Sequence, residues 1–304
     1  MKIELEKISV VIPTLNRCFT LPRAIESVLR QTLMPCEVIV VDNGSSDGTL
    51  ELIKSKYPTV RILHEKKIGV SAARNRGIKA AQGSWVALLD SDDEWLPNKL
   101  QRQIEGYINC GESVRVIHTN EHWRKNNLLV NQMKKHQKTG GNIFNQCLLL
   151  CCISPSSVML RHDLFDDFGY FDENLPACED YDLWLRICSK ENVLFVDENL
   201  IIKYGGHDDQ LSRRYWAMDR FRVFSLEKLI TGGDLSMDNR TCAYEVLMAK
   251  LNVLISGGLK RRNMDLVSFY SKKKEFWIDR VSDAQNNKDN QFTDLNKELD
   301  YYRD

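Results

Sequence analysis

Leu88-Leu89-Asp90-Ser91-Asp92-Asp93 is the stretch on which the reading of this chain turns. The run that leads into it, Trp85 to Leu89, is continuously apolar rather than alternating, the pattern of a strand buried on both faces. Three carboxylates follow within four residues. Open α/β sheets bind ligands at the carboxyl ends of their strands. Carboxylates crowded there repel one another unless something positive lies between them, and a hard divalent cation holding a diphosphate is the natural occupant. The competing local reading is a cap: Asp92 or Asp93 could begin a helix starting near Pro97.

Working outward, the first ~110 residues alternate strand and helix patterns. Strands are expected at Ile8–Ile12, Glu37–Val41, Val60–Leu63 and Trp85–Leu89, and helices at Leu21–Arg30, Thr49–Lys56 and Val70–Ala81. Asp42-Asn43-Gly44-Ser45-Ser46-Asp47-Gly48 is a dense turn signal after the second strand, with Asp47 placed to cap the next helix. This rhythm specifies a parallel sheet covered on both faces. From Val114 to Lys203 the elements are shorter and mixed, with strands at Val114–Thr119, Ser156–Leu160 and Leu200–Tyr204 and a helix over Asp180–Ser189. After Trp216 only helical patterns remain, near Ala217–Thr231, Thr241–Ser256 and Asp265–Ile278, and the Asn-, Asp- and Lys-rich tail from Asp283 reads as a loose helix or disordered.

Composition narrows the function classes. Lys plus Arg equals Asp plus Glu at 42 each, so no global charge points to nucleic acid or to an acidic membrane. No apolar stretch reaches the ~18 residues of a membrane span, and the charged start from Met1 to Lys7 is unlike a signal segment. The nine cysteines lack zinc spacing and often sit in apolar runs, as reduced thiols of a cytoplasmic protein would. No GxGxxG or GxxxxGK[ST] loop follows any strand, which weakens dinucleotide-oxidoreductase and P-loop readings.

Four segments together carry a family resemblance. Val10-Val11-Ile12-Pro13-Thr14-Leu15-Asn16-Arg17, then Val38–Thr49 with Asp42-Asn43-Gly44-Ser45, then Gly69-Val70-Ser71-Ala72-Ala73-Arg74-Asn75-Arg76-Gly77, then Leu89–Asp93, closely resemble glycosyltransferase family 2. The resemblance covers about residues 7 to 215. It implies the GT-A fold, a mostly parallel nucleotide-binding sheet flanked by helices. It also implies an inverting, metal-assisted enzyme that uses a nucleotide-sugar donor. The expected organisation is a GT-A domain over 1–215, with a nucleotide-binding half (1–110) and an acceptor half (111–215), and a helical C-terminal extension over 216–304.

The resemblance assigns roles residue by residue. Pro13, Thr14, Asn16 and Arg17 lie by the nucleotide, with Pro13 and Thr14 ending a strand whose backbone is then available to a base. Asp42 binds base or ribose, though turn formation alone would also account for it. Arg74 approaches the base or diphosphate, for which a guanidinium has matching geometry; the bland alternative is a solvated helix face. Asp90 and Asp92 form the DxD pair, with Asp92 ligating Mn2+ or Mg2+ and Asp90 touching ribose or the metal's water; Asp93 is left as a helix cap. Glu179 and Asp180 match the family's acceptor-side acidic pair, and Asp180 is the expected base; both, with Asp182, could instead merely complement a helix dipole. His207, in the glycine-rich Tyr204-Gly205-Gly206-His207 loop, matches a histidine that ligates the metal in many relatives. Gln210-Leu211-Ser212-Arg213-Arg214 resembles the QxxRW motif of processive synthases, but Arg214 stands where Trp should be, which favours single-sugar addition.

The implied partners are a nucleotide-sugar donor, UDP-linked by preference, and a glycan or lipid-linked glycan acceptor. Lys260-Arg261-Arg262 and Lys272-Lys273-Lys274, near Phe276 and Trp277, could form a peripheral membrane patch at the cytoplasmic face, or simply a solvated helix surface. Two alternatives remain open: a sugar-1-phosphate nucleotidyltransferase, which would want a glycine-rich basic N-terminal loop, and a catalytically inactive nucleotide-sugar-binding protein.

Overall fold

The structure, a computed structural model, describes residues 7–126, 128–206, 214–232 and 234–286. The N-terminal half alternates as its sequence predicts: β1 (Ile8–Thr14), α1 (Leu21–Leu29), β2 (Glu37–Asp42), α2 (Thr49–Lys56), β3 (Arg61–His64), α3 (Val70–Ala80) and β4 (Trp85–Leu88). These four strands are parallel, in the order β3-β2-β1-β4. β1 and β4 are buried along their whole length, as expected of strands covered on both faces. α3 lies unusually close to the sheet at Gly77, where a Cβ would stand 2.3 Å from a methyl of Val11. Only glycine allows that approach.

The second half is mixed rather than parallel. β8 (Met159–Arg161) runs antiparallel to β4, β6 (Val116–Lys125) antiparallel to β8, and β9 (Val193–Gly205) parallel to β6. The two-residue β5 (Glu94–Trp95) closes the far edge against β9, and β7 (Leu128–Val130) folds back on β6 as a hairpin. The strand expected over Ser156–Leu160 starts later, because Pro155–Ser157 forms a 3-10 turn. α4 (Lys99–Asn109) begins after Asn98, so neither Asp92 nor Asp93 caps it. α5 (Phe144–Leu149), α6 (Leu164–Phe168) and α7 (Glu179–Cys188) complete this half.

Three helices follow: α8 (Asp219–Thr231), α9 (Met237–Lys260) and α10 (Met264–Asn286). α9 starts earlier than its apolar period suggests because Ser236 accepts a hydrogen bond from the Asn239 amide. The expectation that no stretch reaches membrane-span length needs correcting here. By length and composition α9 is long and apolar enough to cross a membrane, since Cys242–Leu259 carries only Glu245 and Lys250 as charges. One seam of it, Ala243, Leu247, Leu251 and Leu254, is buried and packs with α8, α10 and α5. That seam shares one core with Trp184 and Leu185 of α7. The nine cysteines are all free thiols.

Candidate active site

The carboxyl ends of β1, β2 and β4 lie side by side, so the acidic cluster, Thr14 and Asp42 share one edge of the sheet. Asp42 is buried and does what a turn residue does. Its carboxylate accepts from the amides of Gly44 and Ser45, with His64 Nδ1 at 3.8 Å. The idea that the strand-end backbone at Thr14 is available does not hold for its carbonyl, which accepts from the Asn43 amide. Its hydroxyl, however, is buried without a partner. Asn16 adopts φ +54 and its side chain accepts from the Ser46 amide, clamping the strand-end loops together. Asp47 behaves as expected, accepting from the amides of Thr49 and Cys18.

Arg74 departs furthest from expectation. It is 4% exposed and so not on a solvated face. Nη2 donates to Asp90 Oδ1 at 2.7 Å and Nη1 to Glu179 Oε1 at 2.6 Å. One guanidinium thus joins the strand-end acids to the first turn of α7. Both charge-assisted bonds keep the guanidinium charged despite its burial.

Within the acidic cluster, Asp90 and Asp92 are half-buried, whereas Asp93 is buried. Asp93 is not a cap: its carboxylate accepts from Ser156 Oγ at 2.6 Å and from the Tyr204 amide at 3.1 Å. Burial first, and then the charge of Asp92, push its carboxyl well above the usual range. Ser156 Oγ also accepts from the Asp90 amide, so the 3-10 turn fixes both ends of the motif. Arg23 donates to the Asp92 carbonyl and lies 3.5 Å above the Tyr204 ring. Arg23, Ser156 and Tyr204 were missed in the sequence because nothing local links them to the cluster.

Glu179 and Asp180 open α7 behind Cys178, a non-glycine residue in the left-handed region at φ +60. That strained junction turns the chain so both acids face the sheet end. Burial, then the neighbouring Asp180, push the Glu179 carboxyl up, while Arg74 opposes them. Asp180 is half-buried; its Oδ1 accepts from the Tyr181 amide at 2.7 Å and its Oδ2 from Cys151 Sγ at 3.1 Å. Asp182 is structural, buried between Arg186 and Lys228.

Among the described residues no group of three or more His, Cys, Asp or Glu forms a metal cage. His207 lies outside the described residues, as do Gln210 to Arg213 of the QxxRW-like run. The donors that are described still fit a hard cation: Asp90 and Asp92 offer half-buried carboxylate oxygens, the donor type by which Mg2+-type ions are held. Of the C-terminal basic residues, Lys273 does not belong to a surface patch: it is buried against Glu227 at 2.9 Å, and Trp277 is buried beside it.

A family model described as Glycosyl transferase family 2 matches residues 9–169. The chain belongs to that family. An uncharacterized glycosyltransferase of Rickettsia felis is 36% identical over 202 residues, covering 64% of this chain and 32% of that protein. This chain therefore spans about a third of the length of that relative. An Escherichia coli relative, UDP-Glc:alpha-D-GlcNAc-diphosphoundecaprenol beta-1,3-glucosyltransferase WfgD, is 32% identical over 192 residues, 62% of this chain and 73% of that one. The S. aureus TarS structure in complex with UDP-GlcNAc superposes with TM-score 0.65 over 82% of this chain and 73% of its own, at 21% identity, and so shares the GT-A fold.

Proposed function

We propose that this protein is an inverting glycosyltransferase that moves one sugar from a UDP-sugar to a hydroxyl of a lipid-linked glycan, in a single displacement assisted by Mn2+ or Mg2+. The observation that carries the reading is the double ion pair of Arg74, which holds a donor-side acid and an acceptor-side acid against one guanidinium. The specificity that WfgD is named for and the nucleotide in the TarS complex favour the donor and acceptor classes. The catalytic unit spans 1–215, with 216–304 as an extension whose described part is helical.

In this mechanism Asp90 and Asp92 would hold the cation, joined by His207. The bound ion supplies Lewis-acid stabilisation of charge on the departing diphosphate. Pro13, Thr14, Asn16, Arg17 and Asp42 border the nucleoside, the Thr14 hydroxyl being an unspent hydrogen-bonding group there. Arg74 fixes Asp90 and Glu179 rather than gripping phosphate. Asp180 takes the proton of the acceptor hydroxyl as that oxygen bonds to the anomeric carbon. The bond from that carbon to the diphosphate breaks on the opposite face, its electrons leave with the diphosphate, and the configuration inverts. The test is turnover of UDP-glucose and UDP-GlcNAc with a diphosphoprenol-linked GlcNAc acceptor, with product stereochemistry read by NMR. A product of retained configuration, or no UDP binding with Mn2+, overturns the reading.

A further inference from the structure

The β6–β7 hairpin is built inside out for a water-facing element. Leu128, Leu129, Val130 and Met133 are 72%, 63%, 39% and 58% exposed. Beneath them the polar groups are buried: Lys138 Nζ donates to Glu121 Oε2 at 2.8 Å, Trp123 Nε1 to Glu121 Oε1 at 2.7 Å, and Gln132 to the Glu121 carbonyl at 2.7 Å. These bonds, and the Trp123 ring 5.1 Å from His136, pin the returning arm to β6 with its apolar side chains outward. Burial would favour the opposite arrangement if water were the only neighbour.

The hairpin's own segment is charged with one sign only. From His122 to His162 the chain contains no Asp or Glu, although acids and bases balance over the whole sequence. Arg124, Lys125, Lys134 and Lys135 are exposed, and none forms an ion pair among the described residues. Glu121, on β6 at the base of the hairpin, is buried and spent on Lys138. Exposed apolar side chains on the same arm as these exposed cations match an anionic lipid surface, where the apolar tips enter the headgroup boundary and the cations meet phosphates.

The hairpin also stands beside the site. Arg124 and Lys125 are in register with Tyr204 and Gly205 on β9, and the Tyr204 amide holds Asp93. A Cβ placed on Gly206, the residue before His207, would stand 3.2 Å from the Lys125 side chain and 3.0 Å from that of Asn126.

We propose that this hairpin, rather than the C-terminal helices, docks the protein on an anionic bilayer and so brings the acidic site to a membrane-borne acceptor. The inference deepens the lipid-linked-acceptor reading and rests on it for its purpose, but vesicle binding needs no turnover to be seen. The experiment is flotation of the full chain with vesicles of 30% phosphatidylglycerol in phosphatidylcholine, or of phosphatidylcholine alone, with UDP–Mn2+ binding measured in parallel. Expected is binding at least about tenfold tighter to the anionic vesicles, falling as salt rises. Lys134→Gln/Lys135→Gln should lose about tenfold and flatten the salt dependence, and Leu128→Ser/Leu129→Ser should lose as much without flattening it. Both variants change only exposed side chains, and their melting temperatures should match the parent's. Lys260→Gln/Lys272→Gln on α9 and α10 should bind as the parent does. Parent protein that stays soluble with anionic vesicles, or binding lost in the Lys260/Lys272 variant and kept in the hairpin variants, overturns the proposal. Vesicle binding that survives alongside absent UDP binding sinks the donor reading and leaves the hairpin standing.

Discussion

Arg74 Nη1 lies 2.6 Å from Glu179 Oε1, and both side chains are all but sealed from water, at 4% and 6% exposure. The two residues are 105 positions apart, one in the α3 helix of the nucleotide half and one opening α7. The pair ties the two halves of the sheet edge together where the chemistry is proposed to occur.

Breaking that pair from one side leaves a buried carboxylate without its cation. Arg74→Ala should therefore destabilise the protein by about 3–5 kcal/mol. Adding Glu179→Gln should recover part of the loss, because the stranded charge is gone. Chemical denaturation of the single and double variants measures both; a single-variant loss under about 1 kcal/mol would mean the pair is not the tie described.

Donor binding should depend on metal through Asp92. Calorimetry with UDP should show tighter binding in Mn2+ than in EDTA, and Asp92→Ala should erase the difference. A variant that keeps the full metal effect rules Asp92 out as a ligand.

Asp180→Asn keeps the shape and hydrogen-bonding reach of the side chain but cannot take a proton. Turnover should fall by about 10²–10⁴-fold while UDP affinity stays within about twofold. Asp182→Asn should act on stability instead, since that carboxylate is held by Arg186 and Lys228. Normal turnover in Asp180→Asn would assign the base elsewhere.

Acid should unfold the protein partly through His118 and Glu121. His118 is buried, its Nε2 faces the Thr139 carbonyl at 2.9 Å, and its Nδ1 has no partner. Burial, then the nearby Lys138 charge, push its pKa down to about 3. The unfolded chain binds that proton near pH 6.5, so the stability this neutral ring contributes is whole above 6.5 and drains away as pH falls toward 3. Glu121 is held down to about 2: burial opposes ionisation, but Lys138 outweighs it, so its contribution is lost as pH falls from 4.5 toward 2. Melting temperature should drop steadily from pH 6.5 to 4.5, with a His118 share of at most about 1.4 kcal/mol per pH unit, and His118→Gln should flatten that limb. An unchanged slope in the variant would show that His118 is not the sensor.

The sequence by itself determined the elements and the edge where they meet. Continuous apolar runs made β1, β2 and β4 doubly covered strands, and a strand buried on both faces has one free end at which Asp90 and Asp92 must emerge. Helical periodicity likewise found α7 and the C-terminal helices, although α10 runs on to Asn286, well past its expected end at Ile278. What each polar side chain does was decided by tertiary structure. Arg74 reads as a phosphate ligand or a surface residue, yet it is consumed by Asp90 and Glu179; Asp93 reads as a cap, yet it is held by Ser156 and Tyr204, 63 and 111 residues away. Local pattern encodes burial, because burial repeats with the period of the helix or strand. It does not encode partners, because a buried charge is satisfied by whichever distant group the fold sets within about 3 Å, and that choice exists only once the sheet has closed.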